Sequence, residues 1–172
     1  DSAVCVYLHG VGDPGNVGTI VRSADALVGA TVVLGPECAD PYGPRALRST
    51  MGSIFTRPPG RGVVGETPEP RAALIAHGGR PLADGIDALL RIAQRAPEDS
   101  GREPLAEAAT GEAGAGAGAS LGLTLCLGAE RDGLPVEVLE RCDETLTISL
   151  RPGGAESLNV AAAAAIALHQ IS

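Results

Sequence analysis

Lysine is absent from this chain of 172 residues, and all 13 of its basic residues are arginine. Tryptophan is absent as well, which leaves Tyr7, Tyr42 and Phe55 as its large aromatics. So few rings argue against a sheet surface on which several bases stack. Cys5, Cys38, Cys126 and Cys142 form no Cys-x-x-Cys pair, and His9, His77 and His169 are scattered, so no metal site is expected. The cysteines read as buried free thiols of a reducing compartment, consistent with a cytoplasmic protein. Apart from the alanine-rich C-terminal run, which is too weakly apolar to insert, no stretch reaches the ~18 residues of a membrane span. Asp1-Ser2-Ala3 supplies no basic region of a signal peptide. A formal charge of −8 argues against general affinity for polyanions. The charge is uneven, however. Arg22, Arg45, Arg48, Arg57 and Arg61 lie in the N-terminal third, and guanidinium suits bidentate phosphate contacts better than ammonium does.

What is present alternates between strand and helix periods. Val4–His9 reads as a strand, and Val17, Ile20, Val21, Ala24 and Leu27–Val28 mark one face of a helix. Thr31–Leu34 is a second strand, and Pro44 opens a helix through Met51 that Gly52 ends. Ser53–Thr56 is expected as a short strand, Thr67–His77 as a helix, residues 80–84 as a strand and Ile86–Arg95 as a helix. Residues 97–120 are of low complexity and read as a flexible surface insertion. Leu121–Leu127 is a strongly apolar strand, Pro135–Cys142 a short helix, Thr145–Leu150 a strand and Ser157–Gln170 the last helix. Such alternation implies one α/β domain, a mostly parallel sheet with helices on both faces. In sheets of that kind ligands bind where strand ends meet helix starts.

Four such joints carry polar side chains or bare backbone. Gly10-Val11-Gly12-Asp13-Pro14-Gly15 has the form of a dinucleotide-binding fingerprint, which would make the chain an oxidoreductase. Pro14 removes an amide just where a phosphate cradle needs one, which disfavours that reading. In Asn16-Val17-Gly18-Thr19-Ile20-Val21-Arg22, the bare Gly18 leaves room for Arg22 and for a phosphate or ribose. The plainer reading makes Asn16 a helix cap, Gly18 a packing residue and Arg22 a solvated charge. Gly128-Ala129-Glu130 follows an apolar strand, and Gly128 permits close approach of a ligand to backbone. Ser157-Leu158-Asn159 precedes a small, wholly apolar helix, expected to be enclosed on several sides, that Ser157 could cap.

Taken together, Asn16/Gly18/Arg22, Leu125–Leu134 with Gly128-Ala129-Glu130 and Gly133-Leu134, then Ile148 and Ser157-Leu158-Asn159-Val160 resemble the SpoU/TrmH-type RNA ribose 2′-O-methyltransferases of the SPOUT superfamily. Met51-Gly52-Ser53-Ile54-Phe55 and Pro58 are similar to a further segment of that family. The resemblance runs the length of the chain, with residues 97–120 excepted. Ser149-Leu150 departs from the family's Pro-Met, and the link from Ile148 to Ser157 is one residue longer.

The resemblance implies a C-terminal trefoil knot, a rare feature that periodicity could not indicate. It implies S-adenosylmethionine as cofactor, lined by Gly128, Ile148, Leu150 and Leu158. It implies a homodimer in which Arg22 faces cofactor held by the other subunit, and methyl transfer to a ribose 2′-hydroxyl of rRNA or tRNA. Asn16, Arg22, Glu130, Ser157 and Asn159 would form the catalytic set, with Arg22 on a phosphate or developing alkoxide. The family's N-terminal RNA-binding domain is expected to be absent or removed. A non-catalytic RNA-binding or interaction protein with the same knot is the alternative from another class.

Overall fold

The computed structural model describes residues 4–95 and 122–172, so the insertion expected at 97–120 lies outside the described residues. Seven strands form one sheet in the order β3-β2-β1-β6-β4-β7-β5, and every pairing is parallel. They are β1 (Val4–Leu8), β2 (Thr31–Leu34), β3 (Gly60–Arg61), β4 (Arg71–Leu74), β5 (Arg80–Pro81), β6 (Leu123–Leu127) and β7 (Glu144–Thr147). The central strands β1 and β6 are paired from Val4↔Leu123 to Leu8↔Leu127. They read as unbroken apolar runs because both of their faces are covered.

Strand alternation divides the core in two. Val6, Leu8, Leu123, Leu125 and Leu127 join the larger cluster with Ile20, Ile86 and Leu168. Helices α1 (Pro14–Val28), α4 (Leu82–Arg95) and α6 (Val160–Ile171) supply that layer. Tyr7 and Cys126 point the other way, into a smaller cluster with Val64, Ala73, Leu134 and Val138. That face is covered thinly, by a 3-10 turn at Val64–Glu66 and by the four-residue α5 (Val136–Leu139).

Local chemistry sets the helix ends. The Asp13 carboxylate caps α1 by accepting from the Asn16 amide, Pro14 follows at the first position, and Gly29 closes the helix at φ +63°. α2 (Pro44–Thr50) ends at Met51, which lies at φ +50°, and Gly52 follows at φ +98°. This double left-handed corner turns the chain into α3 (Ser53–Thr56), where a strand was expected. Ile54 of α3 is buried, so the apolar pair Ile54-Phe55 resembled strand only by its composition.

The second correction concerns Thr67–His77, expected as a helix. Pro68 and Pro70 withhold amides and restrain their predecessors, and the Glu69–Pro70 bond is cis. The chain then enters β4, between β6 and β7, where the small Ala72 and Ala73 are wholly buried. Arg71 is buried too, donating to Thr67, Glu69 and the Gly65 carbonyl, so it braces the loop beneath the sheet. Thirdly, α6 begins at Val160 and its cap is Asn159, not Ser157. Nor is α6 enclosed all round: Ala161, Ala164 and Leu168 are buried, whereas Ala162 and Ile166 are exposed.

Candidate functional site

Chain order reverses around β1 and β6, and loops from four strand ends meet above that point. The exit from β1 carries Gly10 to Asp13, that from β6 carries Gly128 to Gly133, β4 ends near Ile75, and β7 continues into Ile148–Leu150. Two adjoining clefts result, with Ala129, Glu130 and Arg131 forming the wall between them.

The first cleft is mainly apolar. Leu74, Ile75, Leu127, Leu134 and Val160 line it together with Gly128, Ile148, Leu150, Ser157 and Leu158. All four residues expected to hold a cofactor are therefore brought together. Ile148–Leu150 lie beyond the end of the β7 ladder, and Ile148 and Leu150 both line the cleft. Mainly apolar walls with a few polar residues such as Ser157 fit a purine ring and a short amphipathic chain. They do not fit a metal, and among the described residues no group of three metal-ligating side chains occurs.

The second cleft is polar, lined by Gly10, Gly12, Asp13, Asn16, Arg45, Glu130 and Asn159 among others. A directed chain of hydrogen bonds crosses it. The Asn159 side-chain oxygen accepts from the Ala161 and Ala162 amides at 2.9 and 3.3 Å. Its NH2 group donates to the Asn16 oxygen at 3.1 Å, and the Asn16 NH2 donates in turn to Oε1 of Glu130. Each asparagine is thus oriented by the next. The N-terminal end of α6 is thereby linked through two side-chain amides to a carboxylate. Three segments separated by 114 and 143 residues are joined in this way.

Two glycines behave differently from the ligand-approach reading. A Cβ on Gly18 would lie 2.3 Å from the Ala46 carbonyl oxygen and 2.8 Å from Cβ of Ser49. Its bareness accommodates α2 and no ligand, so the packing reading holds. A Cβ on Gly128 would meet Gly133 at 2.1 Å, because the loop closes on itself through an Ala129–Gly133 bridge. Gly128 still lines the first cleft, but its lack of side chain is needed by its own loop.

The helix-cap reading of Asn16 is also corrected. Asp13 caps α1 and pairs with Arg45 at 3.1 Å, which frees the Asn16 side chain to reach Glu130. A carboxylate already occupying the end of α1 argues against a pyrophosphate there, and with it the dinucleotide reading. Asp13 is the residue that sequence reasoning missed, although Asp-Pro before an apolar period is a helix-start signal. Arg22 is exposed on α1 and lines neither cleft. Of the expected catalytic set, the fold gathers Asn16, Glu130 and Asn159, sets Ser157 on the rim of the first cleft, and leaves Arg22 apart.

Perturbed ionisation lies elsewhere, among the cysteines and Tyr7. Burial pushes the Cys5 thiol up to about 11 and also raises Tyr7 and Cys38. A hydrogen bond between Cys126 and Cys142 raises the first thiol and lowers the second. These groups serve packing and do not face either cleft.

Comparison with known proteins bears on the same residues. Residues 3–62 and 99–169 match the family model described as the SpoU rRNA methylase family. A 23S rRNA guanosine 2′-O-methyltransferase of Bacillus subtilis is 33% identical over 166 residues, covering 96% of this chain and 56% of that protein. Among solved structures, the SpoU methyltransferase AviRb of Streptomyces viridochromogenes superposes with a TM-score of 0.72 at 25% identity, covering 99% of this chain and 59% of that one. An AdoMet-bound rRNA methyltransferase of Sinorhizobium meliloti gives 0.70 at 25% identity, covering 98% and 55%. The chain therefore spans little more than half the length of these relatives.

Proposed function

This chain belongs to the SpoU rRNA methylase family, and from that premise we propose that it transfers a methyl group from S-adenosylmethionine to a ribose 2′-hydroxyl of structured rRNA or tRNA. The observation that carries the reading is the Asn159–Asn16–Glu130 chain standing beside an apolar cleft that contains Gly128, Ile148, Leu150 and Leu158. S-adenosylmethionine supplies an electrophilic methyl on a sulfonium, and the protein's work is positioning. Leu158 and the Ile148–Leu150 backbone hold the cofactor. Asn16, itself held by Asn159, aims Glu130, whose second oxygen accepts no hydrogen bond among the described residues. That oxygen braces the site by holding a guanidinium or a ribose hydroxyl, and Ser157 orients the ribose from the rim.

Arg22 carries a guanidinium, which offers five donors and no acceptor. It is therefore a clamp for phosphate or for developing alkoxide charge, not a base. Because Arg22 lines neither cleft of its own chain, we assign it to the site of a second copy, which makes the working unit a homodimer. The open apolar side of α6, with Ala162 and Ile166, supports such an interface. The family's trefoil knot, a single catalytic domain over 1–172 and a cytoplasmic setting belong to the same proposal.

The separation of Arg22 from the clefts also favours the second reading, a knotted RNA-binding protein without turnover. Calorimetric titration with S-adenosylmethionine, using NADH as control, followed by methyl transfer to rRNA and tRNA, separates the two. Arg22→Ala is expected to lower transfer ~10²–10³-fold while leaving cofactor affinity unchanged. Cofactor binding without transfer by the wild-type chain would favour the second reading, and binding of NADH alone would revive the dinucleotide one.

A further inference from the structure

The single phenylalanine and the single methionine of this chain are both on its surface. Phe55 is 83% exposed and Met51 72% exposed, on either side of the left-handed corner between α2 and α3. Neither serves the core, because the neighbouring Ile54 is the residue by which α3 packs. Exposed in this way, the ring leaves a large apolar surface in contact with water. Met51 adds backbone strain, since a non-glycine residue at φ +50° is disfavoured.

The charge around this corner differs from that of the rest of the molecule. Residues 41–62 contain Arg45, Arg48, Arg57 and Arg61 and no aspartate or glutamate, within a chain of net charge −8. Arg45 and Arg57 pair with Asp13 and Asp25 of α1, whereas Arg48 and Arg61 make no ion pair among the described residues. The corner is thus an apolar tip set in arginines. A second copy fits it poorly, because a two-fold contact centred on Phe55 would bring like-charged arginines together.

We propose that this corner binds unpaired RNA, with Phe55 stacking on one unstacked base, Met51 beside it, and Arg48 and Arg61 on flanking phosphates. Every base offers a π-face, so the contact is indifferent to sequence and selects single-stranded or looped RNA over duplex. The proposal rests on the methyltransferase reading for its biological sense, and it locates substrate grip on the catalytic chain itself, away from the clefts. One stacked ring suffices for it, so the scarcity of aromatics does not count against it.

The test uses the full chain and a fluorescein-labelled, mixed-sequence single-stranded RNA of about 15 nucleotides, with the corresponding duplex as control. Phe55→Ala is expected to weaken single-strand binding roughly 5- to 150-fold with the salt dependence unchanged. Phe55→Tyr should restore binding, and Phe55→Leu should not. Arg48→Ala should reduce the slope of log affinity against log salt by about 0.7. S-adenosylmethionine affinity, measured in parallel by calorimetry, should be unaffected in all four variants. Unchanged RNA affinity in Phe55→Ala would overturn the proposal while leaving the methyltransferase reading intact. A Phe55→Ala chain whose sedimentation mass falls would overturn it in favour of an interface between copies. Failure of the wild-type chain to bind S-adenosylmethionine would instead sink the methyltransferase reading, and failure to bind either RNA would sink the corner.

Discussion

Replacing Gly18 by alanine sets two opposite expectations against each other. On an isolated helix the change is favourable, by about 1 kcal/mol, because alanine gives up less backbone entropy. In this fold the added methyl carbon would sit 2.3 Å from the Ala46 carbonyl oxygen and 2.8 Å from Cβ of Ser49. Restoring an ordinary contact of 3.4 Å requires α2 to retreat by about 1 Å, and the obstacle is backbone, not a pliant side-chain tip. Overpacking of that kind costs about 1–3 kcal/mol, and the larger figure applies when backbone must move. The net expectation is a loss of about 2 kcal/mol, or a fall in Tm of roughly 4–8 °C for a chain of this size. Urea unfolding followed by circular dichroism measures it, with Gly12→Ala as control, since a Cβ there meets nothing within 4 Å. The control should stay within about 0.5 kcal/mol of wild type. A Gly18→Ala chain as stable as wild type, or more so, would refute the argument that this glycine sets the spacing of α1 and α2. Loss of S-adenosylmethionine affinity without loss of stability would restore the ligand-approach reading.

Other expectations follow from the same geometry. Asn159→Ala should lower stability by about 1 kcal/mol through loss of the α6 cap, whereas Asn159→Asp keeps the cap and loses only the bond donated to Asn16. Equal urea midpoints for the two variants would contradict that separation. The Cys5 thiol, raised from 9.0 to about 11, favours the folded state fully below 9.0 and loses that advantage as pH climbs through 11. Unfolding free energy should fall by up to about 1.4 kcal/mol per pH unit across that window on its account. A Cys5→Ala chain with the same alkaline slope would exclude this thiol as a cause. Met51→Gly should stabilise the corner by roughly 0.5–1 kcal/mol, since only the backbone strain is removed from an exposed position, and should weaken single-strand RNA binding. A lower urea midpoint would show that Met51 packs in a way its exposure denies.

Much of the architecture was legible because it rests on local chemistry. β1 and β6 are apolar without interruption, the apolar face Val17, Ile20, Val21 and Ala24 marks α1, and Pro44 opens α2. The three motifs carrying Asn16, Glu130 and Asn159 named the residues that meet, and Gly128, Ile148, Leu150 and Leu158 do share one cleft. The errors have physical causes. Ser53–Thr56 is too short for period to decide, and a left-handed Gly52 outside it sets its course. Arg71–Leu74 has good helix formers that are overridden because a slot between β6 and β7 admits only small residues. Ser157 and Asn159 are both good caps, and which one closes α6 depends on the loop that carries them.

Sequence by itself determined the class of fold, the existence of its longest helices and the kinds of side chain that carry the chemistry. These follow from the alternation of apolar residues and from backbone preferences, which act over a few residues. Only the tertiary structure decided that Gly18 is bare for the sake of α2, that Asn16 is released from capping to join Glu130 with Asn159, and that Arg22 stands outside the clefts of its own chain. Such facts depend on contacts between segments distant in sequence, in the case of Asn16, Glu130 and Asn159 more than a hundred residues apart. No local pattern encodes them, because a side chain's partner is set by where the sheet brings the strand ends.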